Sequence, residues 1–336
     1  MPDIIDIHVH FGSPRDEKTG CYWSGDFEKT AAFVAMLLVT KSLFKKVSPE
    51  RLRKVILGTI NKSKYVHKSV VLALDEVYDQ DGVKHPEWTH MHVPNSYVAQ
   101  LASENERILF GASVHPYRDD WQEELEFCLQ NGAVLCKWIP SSQQIDPSHH
   151  KCLDFFRLLA KHNLPLLCHA GPEYTIPTSN KEYIKFNNPL FLKNALNIGV
   201  KVIVAHCALP YFGAFENDYI DDYDDFKKML QEADEQSWNL YADLSAVATT
   251  VRAFYLKELV PQLDHQRLLF GSDYPIPASI LSYNKIGNIF SWIKYLFKQV
   301  LRMSNALDKN YKIIRGMKFD DVVFTNAAML FDQIKR

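Results

Sequence analysis

The chain has 336 residues, of which 47% are hydrophobic, so it can bury a sizeable core in one large domain or two smaller ones. Its charge is nearly balanced, with 38 Lys and Arg against 40 Asp and Glu. This balance, without a long basic stripe, argues against nucleic acid or an anionic membrane as the main partner.

Eight short apolar runs, each followed by turn residues and then a helical stretch, recur along the chain. Most are continuous rather than alternating, which is typical of parallel strands covered on both faces. From the third run onward they begin about every 30 to 40 residues, the length of a βα unit. Eight such units predict an α/β fold, a distorted (β/α)8 TIM barrel. The predicted strands are Ile4–His10, Val70–Leu74, Ile108–Val114, Ala133–Trp138, Pro165–His169, Val202–His206, Leu240–Leu244 and Leu268–Asp273.

Two additions enlarge this barrel, which we interpret as a single domain. An insertion at about residues 14–66, with helices near Phe27–Val47 and Pro49–Tyr65, would lie over the barrel mouth. C-terminal helices at about 283–336, the last near Asn326–Ile334, could cap the barrel or bury the face of a homodimer. The helices predicted between the strands are Trp121–Leu129, His150–His162, Pro189–Asn197, Phe226–Gln236 and Tyr255–Leu263.

The use of cysteine and the lengths of the apolar runs bear on where the protein works. None of the six cysteines forms a C-x-x-C pair, and a chain of this length does not need disulfides for stability. The N-terminus enters a strand-like run without a signal-type segment. The longest apolar run, Ala31–Val39, is too short to span a bilayer. We therefore expect a cytoplasmic protein that has no membrane partner.

Titratable side chains stand at the ends of several predicted strands. The first strand ends in His8 and His10, whose i, i+2 spacing places both imidazoles on one face. The fifth ends in His169, the sixth in His206 and the eighth in Asp273. The C-terminal strand ends of such a barrel converge on one mouth, where active sites lie. Several imidazoles with one carboxylate suit Zn²⁺, with Mn²⁺, Fe²⁺ or Co²⁺ as alternatives.

Five motifs resemble one enzyme family over nearly the whole chain. They are D-I-H-V-H-F-G at the start, C-H-A-G at 168–171, V-A-H-C at 204–207, F-G-S-D-Y-P at 270–275 and T-N-A-A-M-L-F at 325–331. On these residues the chain resembles the amidohydrolase superfamily, specifically the amidohydrolase-related branch that includes aminocarboxymuconate semialdehyde decarboxylase. The resemblance implies a distorted (β/α)8 barrel with a divalent metal at its mouth.

The resemblance also implies roles for the residues at the strand ends. His8, His10, His169 and Asp273 would bind one divalent metal, and a water would complete the site. His206 would act as the acid and base that orients this water rather than as a firm ligand. Asp273 could also accept a proton from the water, so both His206 and Asp273 are predicted catalytic residues.

Three further residues are expected to meet a small-molecule substrate. Lys137, on the fourth strand, is either a cation for anionic substrate groups or, if carboxylated as in binuclear relatives, a bridge between two metals; we expect one metal. His115 ends the third predicted strand and could touch substrate or be held by structural hydrogen bonds. Arg252, beyond the seventh strand, is a candidate for holding a substrate carboxylate.

Three functions are compatible with this sequence. We favour metal-dependent hydrolysis of an amide, ester or lactone of a small organic substrate by metal-activated water, because no clear carboxylate-binding arginine is evident apart from Arg252. The alternative is metal-dependent, non-oxidative decarboxylation of an unsaturated or aromatic acid. The third is a non-catalytic metal-binding barrel. It fits least, because three histidines and an aspartate leave an open coordination position that structural zinc sites avoid.

Overall fold

Eight parallel strands form the centre of the computed structural model, which describes residues 2–45, 47–210, 220–249, 251–252, 263–279 and 289–334. The strands of the chain are β1 (Ile5–His10), β2 (Tyr22–Trp23), β3 (Lys68–Leu72), β4 (Met91–His92), β5 (Ile108–Ala112), β6 (Ala133–Trp138), β7 (Leu166–Cys168), β8 (Val202–Val204), β9 (Leu240–Asp243) and β10 (Leu268–Leu269). The barrel order is β1-β3-β5-β6-β7-β8-β9-β10, and β2 pairs antiparallel with β4 outside it. Each predicted strand position holds a barrel strand, so the predicted (β/α)8 barrel is confirmed.

The barrel nearly closes between its last strand and its first. The amide of Ile7 donates to the carbonyl of Phe270 (3.1 Å), and the amide of His10 donates to the carbonyl of Tyr274 (2.7 Å). In the other direction, the amide of Asp273 donates to the carbonyl of His8 (2.9 Å). These backbone bonds hold the two histidines of β1 beside the aspartate that follows β10.

A β-bulge in β1 changes which of its side chains point into the barrel. Between the paired positions Asp6 and Val9, β1 has one residue more than β3. Ile7 packs in the barrel interior, whereas Val9 packs in the outer layer. The bulge therefore lets His8 and His10 follow Ile7 on the inner side, with their ring centroids 5.0 Å apart.

The barrel interior below these histidines is apolar. The strands contribute one aliphatic layer, and helix Asn326–Phe331 closes the far end with Leu330 and Phe331. A larger apolar layer lies between the strands and the surrounding helices. Because both faces of the strands are buried, their sequences read as continuous apolar runs rather than alternating ones. The interior layer includes Ile5, Ile7, Val70, Leu72, Leu135, Leu167, Ile203 and Leu269.

Helices surround the barrel in the βα order that the sequence predicts. The α-helices of the described residues are Ala31–Val39, Pro49–Asn61, Asn95–Glu104, Trp121–Gln130, Pro140–Gln143, Cys152–His162, Lys193–Ile198, Ile220–Glu232, Ile289–Tyr295, Ala306–Gly316 and Asn326–Phe331. Shorter 3-10 helices span Phe27–Lys29, Lys181–Asn187, Pro189–Leu192, Ala205–Ala208, His265–Arg267 and Asp321–Phe324, and a π-helix spans Leu296–Val300.

Several predicted helices are present with different bounds. The stretch expected near Phe27–Val47 divides at Thr30, whose hydroxyl caps helix Ala31–Val39 by accepting from the amide of Phe33. The sequence does not predict helix Ala306–Gly316, which Asn305 caps. Except for Leu263, the helix expected at Tyr255–Leu263 lies outside the described residues.

The segment between β1 and β3 contributes to the barrel mouth. Helix Ala31–Val39 places Ala32 and Met36 in the wall of the cavity that also contains His10 and Asp273. In the described part of the chain, no helix is both long enough and apolar enough to cross a membrane.

Candidate metal centre

Three predicted ligands converge at the C-terminal end of the barrel strands. His8 Nε2 lies 3.1 Å from His10 Nε2 and 3.5 Å from Asp273 Oδ1. Asp273 Oδ1 lies 3.2 Å from His10 Nε2. Ligands about 2.0 to 2.1 Å from a tetrahedral Zn²⁺ would stand about 3.3 Å from one another. The spacing and the chemistry of these three donor atoms therefore fit one divalent cation.

A buried carboxylate fixes the tautomer of His8. Asp243 Oδ2 lies 2.7 Å from His8 Nδ1, and both side chains are fully buried. An ionised carboxylate accepts hydrogen bonds only, so Nδ1 carries the proton and Nε2 keeps its lone pair toward His10 and Asp273. A carboxylate behind a histidine in this way orients the ring and raises the basicity of the nitrogen that faces the metal.

Ser245 extends this network to His206. The hydroxyl of Ser245 donates to Asp243 Oδ1 (2.5 Å), and His206 Nδ1 lies 2.7 Å from that hydroxyl oxygen and 3.0 Å from the carbonyl of Ser245. A carbonyl can only accept, so His206 Nδ1 carries its proton and Nε2 keeps a lone pair. The ring of His206 lines the cavity, where such a nitrogen can accept a proton.

The backbone adopts left-handed conformations at two of these residues. Strand β8 ends at Val204, and His206 follows with φ of 58°, in a turn that continues through Cys207 and Ala208 at 52° and 51°. Asp273 has φ of 61°. Such conformations cost about 1 to 3 kcal/mol each in non-glycine residues and cluster at functional sites. The amide of His206 donates to Asp243 Oδ1 (2.8 Å), which helps to hold the turn.

The G-S-D sequence before the cis Tyr274–Pro275 bond fits closely against the site. A Cβ atom at Gly271 would lie 3.1 Å from the Cβ atoms of His8 and Ser245, so only glycine leaves both side chains undisturbed. Asp6 Oδ1 accepts from the amides of Ser272 (2.9 Å) and His8 (3.1 Å). These contacts tie the loop that carries Asp273 to β1.

Burial favours the neutral, metal-binding form of His8, His169 and His206. Burial is the main reason that the pKa of His8 falls to about 4. It also lowers the pKa values of His169 and His206 well below the usual histidine range. Burial alone would raise the pKa of Asp273, but its hydrogen bond with His10 and the surrounding charges hold the pKa below its ordinary value. Neutral imidazoles and an ionised carboxylate are the states that metal binding requires.

His169 lies beside the three converging donors but does not join them within 4.8 Å. Its ring centroid is 5.0 Å from that of His206. His169 Nδ1 lies 3.2 Å from Glu173 Oε2, and Nε2 lies 3.3 Å from the carbonyl of Pro172. Glu173 Oε1 also accepts from the amide of Ile176 (2.9 Å), and burial raises the pKa of this carboxyl.

Two predicted substrate-binding cations line the same cavity. Lys137 is buried, its Nζ lies 3.4 Å from His8 Nε2, and burial lowers its pKa. The guanidinium of Arg252 is also buried and donates to the carbonyls of Leu209 and Pro172, both at 3.4 Å. The cavity has about 630 Å³ of empty space, including the part open to solvent. Its other walls come from Phe11, Phe27, Met36, Met91, Ile139, Thr175, Ile176 and Ile276.

His115 lies apart from this cavity, although the sequence makes it a candidate substrate contact. Its Nε2 donates to the carbonyl of Gln143 (2.8 Å), and its Nδ1 accepts from the amide of Tyr117 (3.2 Å). The ring is fully buried, and burial lowers its pKa to about 3. Both ring nitrogens of His115 are therefore used in hydrogen bonds that hold the loops after β5 and β6.

Sequence reasoning misses three residues of the network. Asp243, like Asp273, is a carboxylate at the end of an apolar strand. The search for titratable residues at strand ends would have found it at the end of the seventh barrel strand. Ser245 follows it at i+2. Glu173 lies in a loop four residues after His169 and carries no pattern that distinguishes it from a surface glutamate.

Comparisons with known proteins agree with this architecture. No curated protein matches the chain. Among solved structures, an uncharacterised TIM-barrel protein from Bordetella bronchiseptica is 12% identical, with a TM-score of 0.53, and the match covers 94% of this chain and 99% of that one. A probable 2-pyrone-4,6-dicarboxylic acid hydrolase from Acinetobacter baumannii is 14% identical, with a TM-score of 0.51 and coverage of 98% and 99%. At these identities the likeness concerns the fold.

A comparison with protein families matches residues 63–302, well over half of the chain, to the family described as Amidohydrolase. The matched segment contains Lys137, His169, His206 and Asp273, and it begins after the H-x-H of β1. The chain therefore belongs to the amidohydrolase family.

Proposed function

We propose that the protein is a metal-dependent hydrolase that cleaves an amide, ester or lactone bond of a small organic substrate. The observation that carries this proposal is the convergence of His8 Nε2, His10 Nε2 and Asp273 Oδ1 in a cavity that also contains His206. A set of ligands that leaves positions for water and substrate is typical of catalytic rather than structural sites.

His8, His10 and Asp273 would hold the cation, which we propose to be a single Zn²⁺. We retain His169 as the fourth proposed ligand, because its ring lies in the same cavity wall. Its Nε2 would exchange the carbonyl of Pro172 for the cation, while Glu173 would hold Nδ1. When bound, a divalent cation acidifies a water molecule and withdraws electrons from a substrate carbonyl.

His206 is the residue best placed to move protons. Its Nδ1 proton is engaged by Ser245, so its Nε2 lone pair would accept a proton from the attacking water. The same nitrogen, once protonated, would return the proton to the leaving nitrogen or oxygen. Asp273 offers its second carboxylate oxygen as another acceptor for the proton of the water.

Lys137 and Arg252 give the cavity a cationic lining and would bind and orient an anionic group of the substrate. Because both lie in a wall that also contains apolar side chains, a carboxylated, compact organic molecule would fill the site. A fold neighbour is named as a hydrolase of a pyrone dicarboxylic acid, a lactone, which agrees with this class but does not identify the substrate.

Non-oxidative decarboxylation is the second candidate, and one observation favours it. The sequence gives hydrolysis the advantage because no arginine is clearly placed to hold a carboxylate. In favour of decarboxylation, Arg252 lines the cavity, and its guanidinium would hold the carboxylate of an acid substrate. The choice between the two reactions therefore rests on the products that the enzyme forms.

The experiment is to incubate the metal-loaded protein with panels of lactones, esters, amides and unsaturated or aromatic acids. Acid release from a lactone, ester or amide supports the hydrolase, and it should fall at least about 100-fold in His206→Asn. The matched control is His150→Asn, which changes an exposed histidine and should leave the rate unchanged. Release of CO2 without any hydrolysis would replace the hydrolase with the decarboxylase.

A further inference from the structure

A second depression on the surface, away from the cavity, is strongly basic. It lies between the segment 39–65 and the segment 302–308, and we call it the basic groove. Asp308 is the one carboxylate among the described residues that line it. That carboxylate is occupied, because it accepts from the hydroxyl of Ser63 (2.6 Å) and the amide of Lys64 (2.9 Å). The exposed cations of the groove are Lys41, Lys45, Lys54, Lys62, Lys64 and Arg302.

The charges of the basic groove are not balanced locally. In the described part of the chain, none of its six exposed cations forms an ion pair with a carboxylate, whereas lysines elsewhere pair with acids, as Lys29 does with Asp26. The whole chain nevertheless has a net charge of −2. The groove is therefore a local concentration of positive charge that the overall composition conceals.

Large apolar side chains are exposed on, or a few residues before, the two segments that form this groove, and we call them its apolar rim. Helix Ala31–Val39 contains no charged residue, and its two sides have different surroundings. Ala32 and Met36 line the catalytic cavity, while Val34 and Leu38, one half-turn away, are exposed. Leu38 is 56% exposed and immediately precedes Val39, which lines the groove.

The loop that follows this helix continues the pattern. Phe44 is 95% exposed and stands directly before Lys45 of the groove. Burial of a phenylalanine side chain contributes substantially to folding, so a fully exposed one is a candidate for contact with another surface.

The segment that reaches the groove at Arg302 repeats exposed apolar and cationic residues at i, i+4 spacing, which we call its apolar and cationic stripes. It runs from helix Ile289–Tyr295 through the π-helix Leu296–Val300 to the turn that follows. Phe297 in the apolar stripe is 64% exposed, whereas Leu296 and Val300 face inward. An exposed apolar stripe beside a row of Lys and Arg is the pattern of helices that lie in the interface of a membrane. The stripes consist of Ile293, Phe297 and Leu301 and of Lys294, Lys298 and Arg302.

We propose that this face, the basic groove with its apolar rim, binds the surface of a membrane that contains anionic phospholipids. The cations would approach the headgroups, while Leu38, Phe44 and Phe297 would enter the boundary between headgroups and acyl chains. A second copy of the chain is a poorer occupant, because a symmetric contact would set the unbalanced cations of both copies against each other. Nucleic acid is also a poorer occupant, because bases could stack on Phe44 and Phe297 but would leave the exposed aliphatic side chains of Leu38, Ile293 and Leu301 without a partner.

From the balanced charge and the short apolar runs of the sequence we expect no membrane partner. The structure gives a reason to revise that expectation, because cations separated in sequence, such as Lys41 and Arg302, line one groove. Contact here would also place helix Ala31–Val39, which forms part of the cavity wall, next to the lipid surface.

The test is co-sedimentation of the full chain with vesicles of phosphatidylcholine alone or with about 30% phosphatidylserine, an anionic content that gives a substantial surface potential. We expect binding only to the anionic vesicles, and weaker binding in high salt. Two variants of the face are compared with the unmodified chain. The charge variant combines Lys41→Glu, Lys45→Glu and Arg302→Glu, and the rim variant combines Phe44→Ser with Phe297→Ser. Each Lys or Arg near an anionic surface strengthens binding about fivefold, so the charge variant should bind on the order of 100-fold more weakly.

The matched control combines Arg157→Glu, Lys161→Glu and Lys181→Glu, which make the same charge change at exposed positions outside the groove. This control should bind the anionic vesicles nearly as well as the unmodified chain. The proposal is overturned if the unmodified chain does not bind anionic vesicles, or if both groove variants bind like the control. It is also overturned if light scattering shows that the rim variant merely dissociates a dimer, or if single-stranded DNA binds more tightly than the vesicles.

Discussion

Replacing Asp243 with asparagine removes the buried charge behind His8 while it preserves the size of the side chain. The carboxylate accepts from His8 Nδ1, from the amide and hydroxyl of Ser245 and from the amide of His206. An asparagine has one acceptor oxygen and two N–H donors, so it leaves at least one of these buried donors without an acceptor. We expect a loss of about 1 to 3 kcal/mol of folding free energy.

The larger consequence should be for metal affinity. Without the carboxylate, His8 loses the partner that fixes its tautomer and raises the basicity of Nε2, and such changes cost about 10- to 100-fold in affinity. Competition with a chromophoric chelator measures that affinity, and thermal unfolding measures the stability. Asp308→Asn is the matched control, because Asp308 is also buried and accepts three donors but lies outside the site. Metal affinity in Asp243→Asn within about twofold of the unmodified protein would refute the role given to this carboxylate.

Three further predictions follow from the same geometry. Gly271→Ala should lower metal affinity and cost about 1 to 3 kcal/mol of stability by calorimetry, because its Cβ would meet the Cβ atoms of His8 and Ser245; an unchanged melting temperature would contradict this. His206→Asn should lower kcat about 100-fold or more with metal content unchanged, and loss of the metal instead would make His206 a ligand. Chelation should lower the melting temperature and Zn²⁺ should restore it, whereas insensitivity to chelator would argue against a bound metal.

The fold is predictable from the sequence because parallel strands leave a simple pattern. Each barrel strand is buried on both faces and so reads as an apolar run, and the βα spacing repeats. The positions of His8, His10, Lys137 and Asp273 at the barrel mouth can be predicted from these same apolar runs. A titratable side chain at the end of such a run points to the barrel mouth, and this rule needs no knowledge of loop geometry.

The remaining features depend on contacts that local sequence does not encode. The bulge in β1, which sends Ile7 and His8 to the same side, is visible only in the pairing with β3. The left-handed turn at His206 is held by Asp243, a residue distant in sequence. His115 matches the strand-end pattern, yet its ring is satisfied by the backbone of neighbouring loops. A pattern of residue types identifies candidates, and hydrogen bonds over long sequence separations decide among them.

The metal site is tested most directly by the metal content of the purified chain, measured by elemental analysis beside that of His8→Ala and His10→Ala. We expect about one divalent ion per chain in the unmodified protein and loss of that ion in both variants, because each removes one of three converging donors. Two ions per chain would instead make Lys137 a carboxylated bridge between metals. A chain that contains no metal, or variants that retain it in full, would rule out a metal site formed by His8, His10 and Asp273.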